Sequence, residues 1–367
     1  MKIIEVIQHL ETIAPTSLQE DYDNSGLLVG SPNQEVTGAL LSLDCTEDIV
    51  EEAIANRCNL IISHHPIIFK GLKRLNGSNY VERTVIKAIR NDIAIYAIHT
   101  NLDNVFEQGV NSKICEKLQL GETQILLPKS KLLKKLVVFV PNKNADKLRR
   151  ALFQAGAGEI GAYSNCSFNL EGTGTFLAGE NSNPHVGEKG KVHQEPEARV
   201  EVIVPHYLTR AVEKAMQANH PYEEVAHDWY ALENKHQEIG SGMIGFLPKP
   251  MDAQDFLKFV TKQLNTDCIR YTSFKANRTI QKVAVCGGAG SFLLPVAKAQ
   301  NADAFITGDF KYHEFFDSEG EIMVADVGHY ESEQFTPELL SEVLREKFNT
   351  FAIRLSEVNT NPINYFH

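Results

Sequence analysis

Two histidines stand side by side where an apolar run stops, in the stretch NLIISHHPIIFKG at 59–71. Inside a strand adjacent side chains point to opposite faces, but a chain leaving its strand escapes that alternation. Two more apolar runs end in residues of the same chemical type. IAIYAIHTNLD ends at His99 and Asp103, and EIMVADVGH ends at His329 with Glu333 four residues on. In parallel α/β sheets, ligands sit beyond the carboxyl ends of the strands, so these ends point to one shared place. If GHYESEQF opens a helix, His329 and Glu333 share its face. The candidate metal ligands are therefore His64, His65, Asp103, His329 and Glu333.

Their number and chemistry narrow the reading. A single catalytic zinc usually takes three protein ligands and keeps a position for water. Five ligands suit two divalent ions, roughly 3.5–4 Å apart, with a carboxylate between them. Imidazole and carboxylate without thiolate favour zinc, with manganese or iron as alternatives, and argue against calcium or an iron–sulfur cluster. Each residue also has a plainer reading. His-His-Pro suits a polar turn, Asp103 a helix cap, and Glu333 a complement to a helix dipole. The recurrence of one chemistry at three separate strand ends weighs against those readings together.

Other stretches offer weaker signals. TGDFKYHEFF places Asp309, Lys311 and His313 just past another strand end, as candidate acid, base or substrate contacts. DYDNSG offers Asp23 and Asn24 for the cleft, although an Asx turn accounts for them equally well. CGGAG at 286–290 follows a strand but lacks the third glycine of a dinucleotide fingerprint, so it reads as a tight turn. Asp44, ending the apolar run GALLSLD, joins Asn24 and Lys311 as a candidate substrate contact. His185, His193, His206, His220, His227 and His236 are too widely spaced for a ligand pattern.

The elements that must position these residues alternate strand and helix. GALLSLDCT, NLIIS and IAIYAIHTNLD read as strands, with EDIVEEAIANR and ERTVIKAIRND as helices between them, which implies a mostly parallel sheet. From about 129 to 237 the order becomes β-α-β-β-α-β, the ferredoxin-like pattern, with a loop-rich stretch through TGTFLAGENSNPHVGEKGKVHQEP. The alternation then resumes with KVAVCGG, DAFITGD and EIMVADVGH as strands and SEQFTPELLSEVLREKF as one long closing helix. The expected architecture is α/β: a two-lobed metal-binding body of segments 1–128 and 238–367, interrupted by an inserted ferredoxin-like α+β domain at 129–237.

Composition sets outer bounds. Of 367 residues, 43% are hydrophobic, enough for substantial cores, and 36 Lys plus Arg against 47 Asp plus Glu give a net charge of -11. That balance disfavours general nucleic-acid binding. The six cysteines form no CxxC pair, which fits reduced thiols in a cytoplasmic protein. MKIIEVIQHLE is too short and charged for a signal peptide, and no apolar run reaches the roughly 20 residues of a membrane span.

Six motifs in order, DNSGLLVG, LDCT, ISHHPIIF, HTNLD, TGDFKYH and GHYESE, make the chain similar to the GTP cyclohydrolase 1 type 2 homologue family, also called Nif-three-like or YqfO-like proteins. The segment with NHPYEEVAHDWYALEN resembles the PII/CutA-like insert of longer members. Where many relatives carry Trp-Asp-Asn this chain has Tyr22, Asp23 and Asn24, which alters no ligand. The resemblance implies a two-metal centre at positions matching His64, His65, Asp103, His329 and Glu333, with His99 and His313 nearby for proton transfer or ligand support. It also implies a homohexameric ring. The resulting expectation is a metal-dependent hydrolase acting on a nucleotide, with metal-bound water as nucleophile; the rival is a non-catalytic metal-binding, metallochaperone or regulatory assembly.

Overall fold

The computed structural model describes residues 1–273 and 279–366. The chain divides into two compact units, one of Met1–Leu127 with Glu238–His367 and one of Pro128–Gln237. Five strands precede the second unit: β1 (Gly26–Val29), β2 (Gly38–Ser42), β3 (Leu60–Ser63), β4 (Ala94–Ala97) and β5 (Gly121–Pro128). The second unit holds β6 (Leu133–Pro141), β7 (Phe168–Leu177), β8 (Val192–Pro205) and β9 (His227–Leu232). Then come β10 (Gly240–Met251), β11 (Arg270–Tyr271), β12 (Ile280–Ala289), β13 (Ala304–Gly308), β14 (Met323–Asp326) and β15 (Ala352–Leu355).

The first unit contains two mixed sheets, ordered β1-β4-β3-β2-β15 and β11-β14-β13-β12-β10-β5. In each, the central strands are parallel: β4, β3, β2 and β15 in one, β12, β13 and β14 in the other. β2, β3 and β4 are buried along their whole length. Helices on both faces produce such continuous apolar strands instead of an alternating pattern. Ile49, Val50 and Ala53 from helix Glu47–Ala55 and Val85 and Ala88 from helix Tyr80–Arg90 pack with Leu40, Ile61 and Ile95 into one core. In the second sheet Phe305, Ala284 and Val324 pack with Leu293, Leu294 and Ala297.

Three local expectations need correction. HTNLD is not strand: β4 stops at Ala97, and Thr100–Asp103 form a single helical turn. Asn101 accepts the His99 backbone N–H at 2.9 Å and so starts that turn. The closing helix is two helices, His329–Glu333 and Thr336–Lys347, the second beginning with Pro337 in its first turn, where a missing N–H costs nothing. Finally β15, too short to show in the sequence, returns the carboxyl-terminal segment to the first sheet beside β2.

In the second unit the order is strand, helix Ala145–Gln154, two strands, helix Thr209–Asn219, strand, with the sheet ordered β7-β8-β6-β9 and its neighbours antiparallel. Leu136, Val138 and Val140 alternate with partners Ala198, Val200, Val202 and Val204 on the face that packs against Leu148, Leu152, Val212 and Met216. Much of the stretch expected to be loop is strand, since β7 reaches Leu177 and β8 begins at Val192. β7 is an exposed edge strand, so it lacks the apolar face that marks a strand in sequence.

Candidate metal centre

The carboxyl ends of the central strands of both sheets bring their side chains together. Past β3, His64 and His65 donate backbone N–H groups to Ser42 O (3.2 Å) and Leu43 O (2.9 Å), which holds both against the end of β2. The fully buried His64 donates from Nδ1 to Ile98 O at 2.8 Å, so its Nε2 carries the lone pair. His65 sets Nδ1 against Asp44 Oδ1 at 2.8 Å, and His329 sets Nδ1 against Asp309 Oδ2 at 2.7 Å. In all three rings Nε2 is left facing the centre. Such outer partners fix the ring orientation and raise imidazole basicity, the usual arrangement behind metal-bound histidines.

Glu333 lies at the middle and is only 2% exposed. Its Oε2 is 3.0 Å from His65 Nε2 and 3.2 Å from His329 Nε2. Its Oε1 is 3.7 Å from His64 Nε2, which is in turn 3.5 Å from Asp103 Oδ1. Donor atoms all within 4.8 Å of one another define three groups, His65–His329–Glu333, His64–Asp103–Glu333 and His64–His65–His99, and Glu333 belongs to the first two. Among the described residues, His64 Nε2 and Asp103 Oδ1 are buried and have no hydrogen-bond partner. Buried polar atoms are almost always partnered, so a lone pair and a carboxylate oxygen left bare and facing each other fit a cation between them.

Protonation follows from the crowding. Burial pushes the His64 imidazole down to about 4. Burial also opposes charge on His65, but hydrogen bonds to Asp44 and Glu333 overcome it and raise that ring to about 10. His329, half-buried, is raised to about 9 by Glu333 and Asp309, which outweigh its desolvation. Burial drives Asp103 well above the usual carboxylate range, helped by the Glu333 charge. Glu333 is held well below that range because three imidazoles outweigh its burial. Protons therefore supply the positive charge that these buried carboxylates require.

A family model described as Duf34/NIF3 (NGG1p interacting factor 3) matches residues 1–362. The chain belongs to this family. It is 38% identical to the GTP cyclohydrolase 1 type 2 homolog of Bacillus subtilis, covering 98% of each chain. It is also 38% identical to the protein of that name from Halalkalibacterium halodurans, again over 98% of each. The crystal structure of a Bacillus cereus protein related to NIF3 superposes with a TM-score of 0.87 at 39% identity, covering 100% of this chain and 99% of that one. A Staphylococcus aureus protein gives 0.78 at 30% identity over 100% and 99%.

Within this NIF3-family chain the centre opens into a cavity of about 730 Å³ in the first unit, walled by His65, His99, Asp103, His329 and Glu333. Tyr22, Phe69, Tyr80, Phe292 and Tyr330 add aromatic surface to its walls. The His99 ring centroid is 5.2 Å from that of His64 and 5.3 Å from that of His65. Asp44 also reaches the wall, but both its oxygens are engaged, by His65 and by the Thr360 hydroxyl at 2.6 Å. Asn24 turns away and donates to Ile68 O at 2.6 Å. His313 is exposed beside Tyr312 and Phe316, and neither it nor Lys311 is among the cavity's described walls.

The sequence reading offered Asp23 for the cleft and singled out CGGAG, but it missed Asn111 and what Asp23 and Gly288 do. Asp23, whose side chain is fully buried, accepts from His99 Nδ1 at 2.8 Å and from Thr100 N at 3.0 Å. Those bonds hold its carboxyl below the ordinary range although burial alone would raise it. Asn111 bridges the two lobes, donating to Asp103 O at 3.0 Å and accepting from Gly287 N at 3.0 Å. Gly288 has φ +62°, and a Cβ there would lie 2.6 Å from Glu333 Oε1. CGGAG is thus not the tight turn expected: Cys286–Ala289 end strand β12, with a break in pairing register after Val285, and the glycines make room for the central carboxylate. Only the doubled glycine hinted at this; a lone Asp or Asn carries no such signal.

Proposed function

We propose that this centre binds two divalent metal ions, zinc first with manganese or iron as alternatives, and that the protein is a metal-dependent hydrolase of GTP cyclohydrolase type acting on a nucleotide. The single observation that carries the reading is Glu333, whose two oxygens face two different ligand groups. His65, His329 and Glu333 would hold one ion, and His64, Asp103 and Glu333 the other. Bound there, such ions would act as Lewis acids and bring the pKa of water toward neutrality. His99, oriented by Asp23, is placed at the wall to move a proton through Nε2. The aromatic walls suit a flat heterocycle, and the names of the Bacillus subtilis and Halalkalibacterium halodurans relatives support a nucleotide.

Elemental analysis of gently purified protein tests the metal count, with about two equivalents expected from the paired ligand groups. The reloaded protein is then screened against nucleotides and phosphoesters. Replacing His99 with alanine should retain metal and lose turnover, whereas His313→Ala should retain both. Full metal content with no turnover on any substrate would overturn the hydrolase reading and leave a metal-binding or metallochaperone role. We also propose that Pro128–Gln237 is a ferredoxin-like insert of the PII/CutA kind, supported by its strand order, and that the cytoplasmic protein assembles as a homohexameric ring. Analytical ultracentrifugation decides the assembly.

A further inference from the structure

The second unit contains a cavity of its own, of about 610 Å³, on the sheet face opposite the helices. Alternation along β8 explains its floor. Ala198, Val200, Val202 and Val204 face the helices, so Glu197 and Arg199 face the other way. Glu197 is 8% exposed, yet the only hydrogen bond to its carboxylate among the described residues comes from the Tyr222 hydroxyl, to Oε1 at 2.9 Å. Arg199, also on this wall, pairs its guanidinium with Glu201 at 2.9 Å and makes no hydrogen bond or ion pair with Glu197 among the described residues. The carboxylate has been given its place: a Cβ on Gly174 would lie 2.1 Å from Oε2, so only glycine leaves that space. Tyr222 is fixed as well, its N–H donating to His220 Nδ1 at 3.1 Å while the buried His220 donates from Nε2 to Phe139 O at 2.9 Å.

A nearly buried carboxylate with one neutral donor is under-compensated, and a cationic partner is what lowers its free energy. The surrounding walls have the matching character. Glu171, Glu223 and Glu224 add negative charge, and Phe139, Phe176 and Tyr222 present aromatic surface, which attracts desolvated cations. Phe176 and Tyr222 stand 6.2 Å apart between centroids, and Asn183 N donates to Glu223 at 2.7 Å, tying together the two loops that border the cavity. We propose that this cavity is a binding site for a small organic cation, a protonated amine or quaternary ammonium group, seated on Glu197 and enclosed by Phe176 and Tyr222.

The test is calorimetric titration of the full-length protein with benzyltrimethylammonium and, separately, with benzoate, an aromatic anion. The ammonium should bind at least tenfold tighter than benzoate, and Glu197→Gln should weaken it at least tenfold while benzoate is unaffected. Gly174→Ala, which displaces the carboxylate without removing it, should weaken the ammonium too. Should Glu197→Gln fail to fold, Phe176→Ala on the exposed edge strand replaces it, with a loss of at least threefold expected. Equal or tighter binding of benzoate, no ammonium binding at millimolar concentration, or ammonium binding that survives these substitutions would each overturn the proposal. Survival also covers adventitious binding at the acidic metal centre, which these substitutions leave intact.

Discussion

Replacing Gly288 with alanine tests whether the position of the central carboxylate is set by a missing side chain. The new Cβ would stand 2.6 Å from Glu333 Oε1 and 3.3 Å from His329 Nε2, where ordinary contact begins at 3.4 Å. Relief requires the Glu333 oxygen to retreat by about 0.8 Å, beyond the roughly 0.5 Å within which a preorganised site must hold its groups. Glu333 has little room to retreat, being buried and in contact with three imidazoles. The expected result is zinc affinity lower by about 10–100-fold, the range seen when support around a metal ligand is lost. The left-handed backbone at φ +62° adds a separate cost of about 1–2 kcal/mol for a residue with a Cβ. That is about 2–8 °C in melting temperature for a unit of this size. Competition against a chelator of known affinity reads the first effect, and thermal unfolding of the metal-free protein reads the second. Gly71→Ala, where nothing lies within 4 Å, is the control and should change neither. Unaltered zinc affinity in Gly288→Ala would refute the claim that this glycine positions Glu333.

Three further predictions follow from the same geometry. Asn111→Ala leaves Asp103 O and Gly287 N without their 3.0 Å partners, and should lower unfolding free energy by roughly 2–4 kcal/mol in urea titration; an effect under about 0.5 kcal/mol would mean the lobes do not depend on this bridge. Zinc binding to the metal-free protein at pH 7.5 should release at least two protons, because His65 and His329 are raised to about 10 and about 9 and must be neutral to ligate. Both values lie above the ordinary 6.5, so protonation competes with metal until pH passes them, and affinity should rise with pH through neutrality and level off near pH 10. Calorimetry in buffers of different ionisation enthalpy measures the release, and a value near zero contradicts the assignment. Asp44→Asn and Asp309→Asn each weaken the carboxylate behind a ligating imidazole and should lower zinc affinity about tenfold, read by the same chelator competition. No change in either would remove these carboxylates from the site.

The sequence by itself determined that three apolar runs end in imidazole or carboxylate residues, and the rule that parallel strands present ligands at their carboxyl ends was enough to bring His64, His65, Asp103, His329 and Glu333 to one place. That inference needs only local periodicity and chain direction, both of which are written in neighbouring residues. What the tertiary structure alone decided is how the five divide and what orients them. Glu333 faces one group with each oxygen, a matter of ångströms between residues more than 200 positions apart. Asp23 behind His99, Asn111 between the lobes and Gly288 under Glu333 are single common residues whose partners lie far along the chain. The same limit hid the return of β15 to β2 and the burial of Glu197 beneath Tyr222. Pattern in sequence records which face a side chain takes; the distance that turns a face into chemistry exists only once separate segments have packed.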